Sequence, residues 1–429
     1  MKAKNISAVL LAAAICSLSI DAAHSQTIIR KDTTWKAGEV HTGHYQIGPK
    51  ATLTIEGGAT VVGAKVEVAG TLIAGSSVGR RVLIQNSIIH FISTATDAEI
   101  LIDNASIIRG LLLNYHVGSG KVVVKNSFIN ASGSINLMSV APGSIFEGNM
   151  FYAQTSLSIS GSSDLRITRN TFAGYVNSFG MIAIGQHSGK IDIDFNNFLG
   201  DQVALRSAAG GGSIQFVYSK NNWFETDVIR KIRKRILDNQ DDLNSNLRFD
   251  FRPYLLEAVA DAPFSGTPGR DLFYGDEKNN MAFGGGGNNK MVGGKGDDVL
   301  VGAAGDDVFR GGFGSDLLIG GAGKNSFVYL DVAESTPQEP DMILGFGPQD
   351  RFVLSSIDAN SDMPGRQGFV FIGYEPFSGN PGELRIEKRT VLGGVAQTVI
   401  YGNTNVDPAP EFMIILDGNL GVWAHSFKF

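Results

Sequence analysis

The chain has 429 residues, of which 54 are glycine and only 18% are charged, with a formal net charge of −6. A mildly acidic chain without a basic surplus is excluded from having nucleic acid as its main partner. Its length suffices for two or three domains, and a single cysteine excludes a disulfide framework.

Residues 1–25 read as a secretory signal peptide. Lys2 and Lys4 form a basic start, an apolar run follows from Ile6 to Ile20, and Ala23-His24-Ser25 supplies small residues around a cleavage point. The run is short for a membrane span. Cys16 lies inside it, and Ile15 before it does not suit a lipoprotein cleavage box, so no lipid anchor is expected. Cleavage removes that cysteine. A secreted, extracellular chain with no transmembrane segment is the expectation, and its stability must come from something other than disulfides.

Residues 26–257 alternate apolar and polar positions with glycine at the corners, as in ATLTIEGGATVVG and AKVEVAGTLIAG. A strand followed by Asn and a bulky residue then recurs, with Asn86, Asn104, Asn126, Asn149, Asn170, Asn196 and Asn221 at the repeated place. Stacked on rungs ~4.8 Å apart, these asparagines would bond from rung to rung. Phe128, Phe151, Phe172, Phe198 and Trp223 would form an internal column beside them. The pattern resembles secreted bacterial right-handed parallel β-helix proteins, a resemblance that implies fold and not activity. A capping helix is expected over about 227–242, with Thr226 or Asp227 as N-cap and Val228, Ile229, Ile232, Ile236 and Leu237 as its apolar stripe. Arg230, Lys231, Arg233, Lys234 and Arg235 then make a solvated face rather than a polyanion site. Asp238, Asp241 and Asp242 follow, and NLRFDFRPYL returns as a last strand closed by Pro253.

After a small-residue linker at 258–265, residues 266–328 fall into consecutive frames of nine. They read GTPGRDLFY, GDEKNNMAF, GGGGNNKMV, GGKGDDVLV, GAAGDDVFR, GGFGSDLLI and GGAGKNSFV. Each starts with glycine. The sixth place holds Asp271, Asn280, Asn289, Asp298, Asp307, Asp316 or Asn325, and the eighth is apolar. Glycines at tight turns aim carbonyl oxygens at a common centre, and the sixth side chain adds an oxygen, which suits Ca2+ with its six to eight oxygen ligands. A flexible linker has no reason to keep period nine. The frames resemble the RTX family of calcium-binding parallel β-rolls. That resemblance implies two frames per turn, with calcium between turns stacked two frames apart and metal binding serving as folding energy. Asp298 and Asp316 are then the one stacked pair with two carboxylates. The second and third frames depart from the consensus and are expected to hold no ion.

Residues 329–429 resemble the C-terminal domain of serralysin-type secreted metallopeptidases. The echoes are Asp341, Phe346, Asp350 and Leu354-Ser355, the FSGNPGELR run from Phe377 to Arg385, and Glu411-Phe412 with Leu416. Gly345 stands where an acidic residue is expected. The loop Gly402-Asn403-Thr404-Asn405-Val406-Asp407 is largely stripped of carboxylates, so calcium is not expected there. The tail Ser426–Phe429 also departs from that family.

Peptidase activity does not carry over. None of His41, His44, His90, His116, His187 and His425 stands in a His-Glu-x-x-His motif. The catalytic alternative is a polyuronate lyase or epimerase working on the β-helix face. Its candidates are Asp192, Asp194, Arg166 and His187, with Thr168 and Lys190 beside them, although the Asp-Pro-His-Asp segment of the epimerases is missing. The sequence therefore predicts an all-β, calcium-binding, extracellular protein. It is expected to act as a non-catalytic binding or adhesion module for polysaccharide or a cell surface. Convergence of those four candidates in a concave groove favours the enzyme; a flat face favours the module.

Overall fold

The computed structural model describes residues 26–429 except 93–96, 115–119, 132, 162–163, 174–180, 188, 201–202, 208–214, 227–228, 239–246, 261 and 361. The expected signal peptide, His116, and Asp227, Val228, Asp241 and Asp242 of the expected cap lie outside the described residues.

Alternating apolar residues fold the first half into a parallel β-helix of three sheets, with ten, ten and eight strands. The first sheet runs from Thr27–Ile29 to Ile236–Leu237, the second from Thr33–Trp35 to Leu247–Asp250, and the third from Val40–His41 to Asn197–Phe198. Strands such as Leu165–Thr168 bury every second side chain, Leu165 and Ile167, in a continuous interior. Ring stacking runs along that interior: Phe151 to Phe172 at 4.5 Å, Phe172 to Phe198 at 5.1 Å, and Phe198 to Phe224 at 5.3 Å.

Two members of the expected column differ. Phe128 pairs in register with Met150, not Phe151, and points out of the β-helix. Phe224, not Trp223, ends the column. The asparagine ladder shows the same one-residue offset. Its members are Ser127, Asn149, Asn170, Asn196 and Asn222, each accepting the backbone N–H of the rung before at 2.9–3.1 Å. Asn104, Asn126 and Asn221 take the preceding corner position with φ of 56°, 47° and 55°, a left-handed turn that Gly148 fills elsewhere. Asparagine suits both places, as a side-chain acceptor and as a tolerated left-handed residue, so the repeated motif merged two positions. Asn86 lies at a different corner, between the third and first sheets.

The capping helix is shorter than expected. Ile229–Lys234 is helical with Ile232 buried, and Ile236–Leu237 leaves the helix to pair with Leu205 and Arg206 as the last strand of the first sheet. Arg235 does not face outward. It is buried and donates to the carbonyls of Phe198 and Phe224, capping the end of the solenoid.

The nonapeptides form a second solenoid of two sheets. Register steps by 18, as in Met291↔Phe309 and Leu300↔Leu318, so two frames make a turn. Residues 329–429 continue it. Asp341–Leu344 stacks on Leu317–Ala322, Arg351–Val353 on Ser326–Val328, and one apolar cluster extends from Ala282 to Phe427.

The two solenoids lie side by side. Outward side chains of the third sheet, including Ile108, Phe128 and Met150, meet Phe283, Val301 and Leu317 of the roll in a shared buried cluster. Ser265 bonds Asn197 near the last rungs, Arg81 bonds Asp297 nearer the first, and Gly393 abuts Val62. The chain thus reverses at 258–265, and the roll runs back along the β-helix.

Candidate calcium ladders of the roll

The sixth-position side chains form two ladders, one on each edge of the roll. Along one edge the backbone N–H of Asn280 donates to Asp298 Oδ1 at 2.7 Å, Asp298 to Asp316 at 2.8 Å, and Asp316 to Asp341 at 2.9 Å. Along the other, Asp271 donates to Asn289, Asn289 to Asp307, Asp307 to Asn325 and Asn325 to Asp350, at 2.7–3.1 Å. One oxygen of each acid except Asp271, which begins its ladder, is thereby committed to the backbone.

The second oxygen separates the candidates. Asp298 Oδ2, Asp307 Oδ2 and Asp316 Oδ2 are buried and have no hydrogen-bond partner among the described residues. A buried anionic oxygen without a partner costs free energy that a cation removes. Asp271 Oδ2, by contrast, accepts from the Thr267 N–H and hydroxyl at 2.8 and 2.9 Å. Asn280 bonds both ways with Asp276. Asn289 turns its amide nitrogen toward the carbonyls of Gly286 and Gly287, and Asn325 Nδ2 also faces inward as a donor. A donor repels a cation. Geometry therefore favours Asp298, Asp316 and Asp307 over the other four sixth-position residues, and favours the edge where Asp298 and Asp316 adjoin.

Two further acids end the ladders. Asp341 uses its second oxygen on the Tyr329 hydroxyl at 2.9 Å, and Asp350 on the Gly347 N–H at 2.8 Å. They are closures that the nonapeptide frames, ending at Val328, did not include.

Electrostatics agree with the geometry. Burial pushes Asp298 up to about 9, with neighbouring Asp316 adding to the rise, and burial pushes Asp316 up to about 8. Burial also raises Asp307 and, strongly, Asp341. Such carboxyls are poised to exchange a proton for a metal.

The first glycine of a frame is required for space. A methyl group there would stand 2.0 Å from Asp298 Oδ2 at Gly293, 2.0 Å from Asp316 Oδ2 at Gly311, and 2.2 Å from Asp307 Oδ2 at Gly302. The second and fourth glycines answer the other need, with φ of 116° at Gly312 and 122° at Gly314. Among the described residues no three His, Cys, Asp or Glu side chains converge on a metal position. The remaining calcium ligands must then be backbone carbonyls, as glycine-lined turns supply. In the 402–407 loop the Thr404 N–H and the Asn405 amide donate to Glu411 at 2.8 Å.

The catalytic candidates gather on one outer strand face of the β-helix. Arg166 pairs in register with Asp192, and Thr168 with Asp194. Some charges on this face are paired, whereas Asp194 Oδ1 is buried without a hydrogen-bond partner among the described residues, as is the hydroxyl of fully buried Thr168. Lys190 reaches Asp192 at 2.7 Å, and Lys125 reaches Glu147 at 2.8 Å. Hydrogen bonding to Lys125 holds Glu147 below the usual carboxylate range. His187 stands apart at a corner, with Nδ1 2.8 Å from the Gly189 carbonyl. A cavity of about 180 Å3 lies elsewhere, between the solenoids, walled by Arg80, Arg81, Ser106, Asp297 and Asp316.

The geometry defines a calcium-binding β-roll attached to a β-helix. Residues 265–300 and 292–327 match the RTX calcium-binding nonapeptide repeat, and these repeats bind calcium ions. Among solved structures, the chain is similar to the AlgE6R2 subunit of the Azotobacter vinelandii mannuronan C5-epimerase, at 24% identity over 37% of this chain and 91% of that one, with a TM-score of 0.27. The AlgE6R3 subunit of that epimerase aligns at 25% identity over 40% and 86%, with a TM-score of 0.25. No curated protein matches the chain. No helix among the described residues is long and apolar enough to cross a membrane.

Proposed function

We propose that this is a secreted calcium-stabilised binding module. Calcium is held chiefly by Asp298 and Asp316, and by Asp307 on the opposite edge. The β-helix offers a long polar face to extracellular polysaccharide or a cell surface. The observation that carries the calcium assignment is the set of buried carboxylate oxygens left without a protein partner. The non-catalytic reading is supported by the ion pair that ties Asp192 to Lys190 and by His187 standing apart from Arg166, Asp192 and Asp194 at a corner, so that these candidates do not converge as an acid and a base. Export through the 1–25 signal and a serralysin-like ancestry of residues 329–429 belong to the same reading.

The alternative, a polyuronate lyase or epimerase, is favoured by one observation: Arg166, Asp192 and Tyr218 occupy neighbouring strands in register. A proton NMR time course with calcium, alginate, polygalacturonate and a neutral glucan separates the readings. The module broadens sugar signals without new ones. New sugar signals that disappear in Asp192→Asn establish the enzyme instead.

A further inference from the structure

The two calcium edges are not equivalent in their surroundings. The turns carrying Asn280, Asp298 and Asp316 face the β-helix. Two of their fifth-position residues, Asn279 and Asp297, clamp it: Asn279 Nδ2 donates to Gly79 O at 2.6 Å and Asn104 Oδ1 at 3.0 Å. Asp297 Oδ2 accepts from the Arg81 N–H at 2.7 Å, and its carbonyl accepts from Arg81 Nε at 2.8 Å. Arg81 is itself buried and also donates to Asn126 O. Asp297 precedes Asp298 directly, so one short turn both clamps the β-helix and presents the ladder carboxylate. The strands that leave these turns bear Phe283, Val299, Val301, Leu317 and Ile319, which cover the apolar outer face of the third sheet.

We infer that calcium uptake at the Asp298–Asp316 edge and docking of the roll on the β-helix are one coupled event. The β-helix sets the calcium affinity of that edge, and calcium keeps the apolar face beneath the roll covered. The physical reason is shared backbone. Without a cation the Asp298 and Asp316 turns bury carboxyl groups whose second oxygens have no partner among the described residues, and a turn that opens to hydrate them releases Asp297 from Arg81. A docked β-helix conversely holds the turn in the liganded shape, which removes part of the ordering cost of binding. Linkage then requires the effect to run both ways.

The inference rests on the calcium reading of the ladders, and one set of measurements separates the two. The full chain is titrated with calcium by calorimetry, and hydroxyl-radical footprinting follows Met150, which lies fully buried under the roll, against Phe172 in the β-helix interior. Chelation is expected to raise Met150 modification several-fold and leave Phe172 unchanged. Met150→Asp should move the calcium midpoint up by about tenfold, whereas Val292→Asp, on the roll's other sheet, leaves it in place. No calcium uptake by the unaltered chain sinks both readings. Uptake with Met150 equally protected in calcium and chelator overturns the coupling alone, as does an equal shift in the two variants. The footprint needs no variant, so a misfolded Met150→Asp leaves the inference exposed to refutation.

Discussion

Replacing Asp298 by Asn should change the roll's stability in opposite directions with and without calcium. In the cation-free fold at pH 7 the Asp298 carboxyl, pushed up to about 9, holds a proton that the unfolded chain, at an ordinary 3.8, does not. Taking up that proton costs roughly 4 kcal/mol. Asn keeps the Oδ1 acceptor for the Asn280 N–H and removes that cost. It leaves an amide N–H without a partner, at about 1–3 kcal/mol. The balance is a gain of about 1–3 kcal/mol in chelator. With calcium the sign reverses, because the site loses a charged ligand and its binding free energy. Thermal unfolding by circular dichroism in chelator and in saturating calcium reads both. Asp271→Asn is the comparator: its second oxygen already serves Thr267, so its calcium midpoint should hardly move. A loss of stability in both conditions for Asp298→Asn, or equal calcium midpoints for the two variants, would refute the reasoning.

Gly311→Ala places a methyl group 2.0 Å from Asp316 Oδ2, so calorimetry should show the Asp298–Asp316 edge losing calcium; unchanged stoichiometry and affinity would contradict the assigned cradle. Asp298 and Asp316 are raised to about 9 and about 8, so their contribution to the cation-free roll is full below about pH 4 and is lost as pH rises through 8–9. Melting temperature in chelator should therefore fall from pH 5 to pH 8, while calcium affinity, which needs those protons to leave, rises over the same interval. Phe172 stacks between Phe151 and Phe198 with 1% exposure, and Phe172→Ala should cost about 3–5 kcal/mol in denaturant unfolding of the β-helix.

The nonapeptide period and the strand content were readable because each is a local, repeated rule about which residue fits which backbone place, whereas the two-frame turn came with the RTX resemblance. The corner motif was readable only in part. One asparagine served two neighbouring positions, and only pairing across rungs separates Asn126 from Asn149. The docking of the solenoids leaves a trace in the sequence. Positions seven and nine are apolar in the second, fourth and sixth frames (Met281, Phe283, Val299, Val301, Leu317, Ile319), but Lys290 and Arg310 interrupt them in the third and fifth. Likewise Ile107-Ile108, Phe128-Ile129 and Met150-Phe151 are apolar on both faces of a strand, the mark of a sheet covered on both sides. The Arg81–Asp297 clamp had no such trace, since it joins residues 216 positions apart. Which ladder acids keep a spare oxygen was equally hidden, because it depends on whether Thr267, Tyr329 or Gly347 happens to donate to them.

The ladders also have a polarity. In both solenoids the backbone N–H of one turn is satisfied by a side chain from the next turn toward the carboxyl end, and Asp341 and Asp350 supply the last caps of the roll. Each turn is thus completed by its successor, and a turn whose successor is missing has an exposed seam. A chain delivered amino end first cannot close the last seams of the roll until Asp341 and Asp350 have emerged. Completion of the turns therefore trails delivery by one turn, and the roll's last turns wait for Asp341 and Asp350.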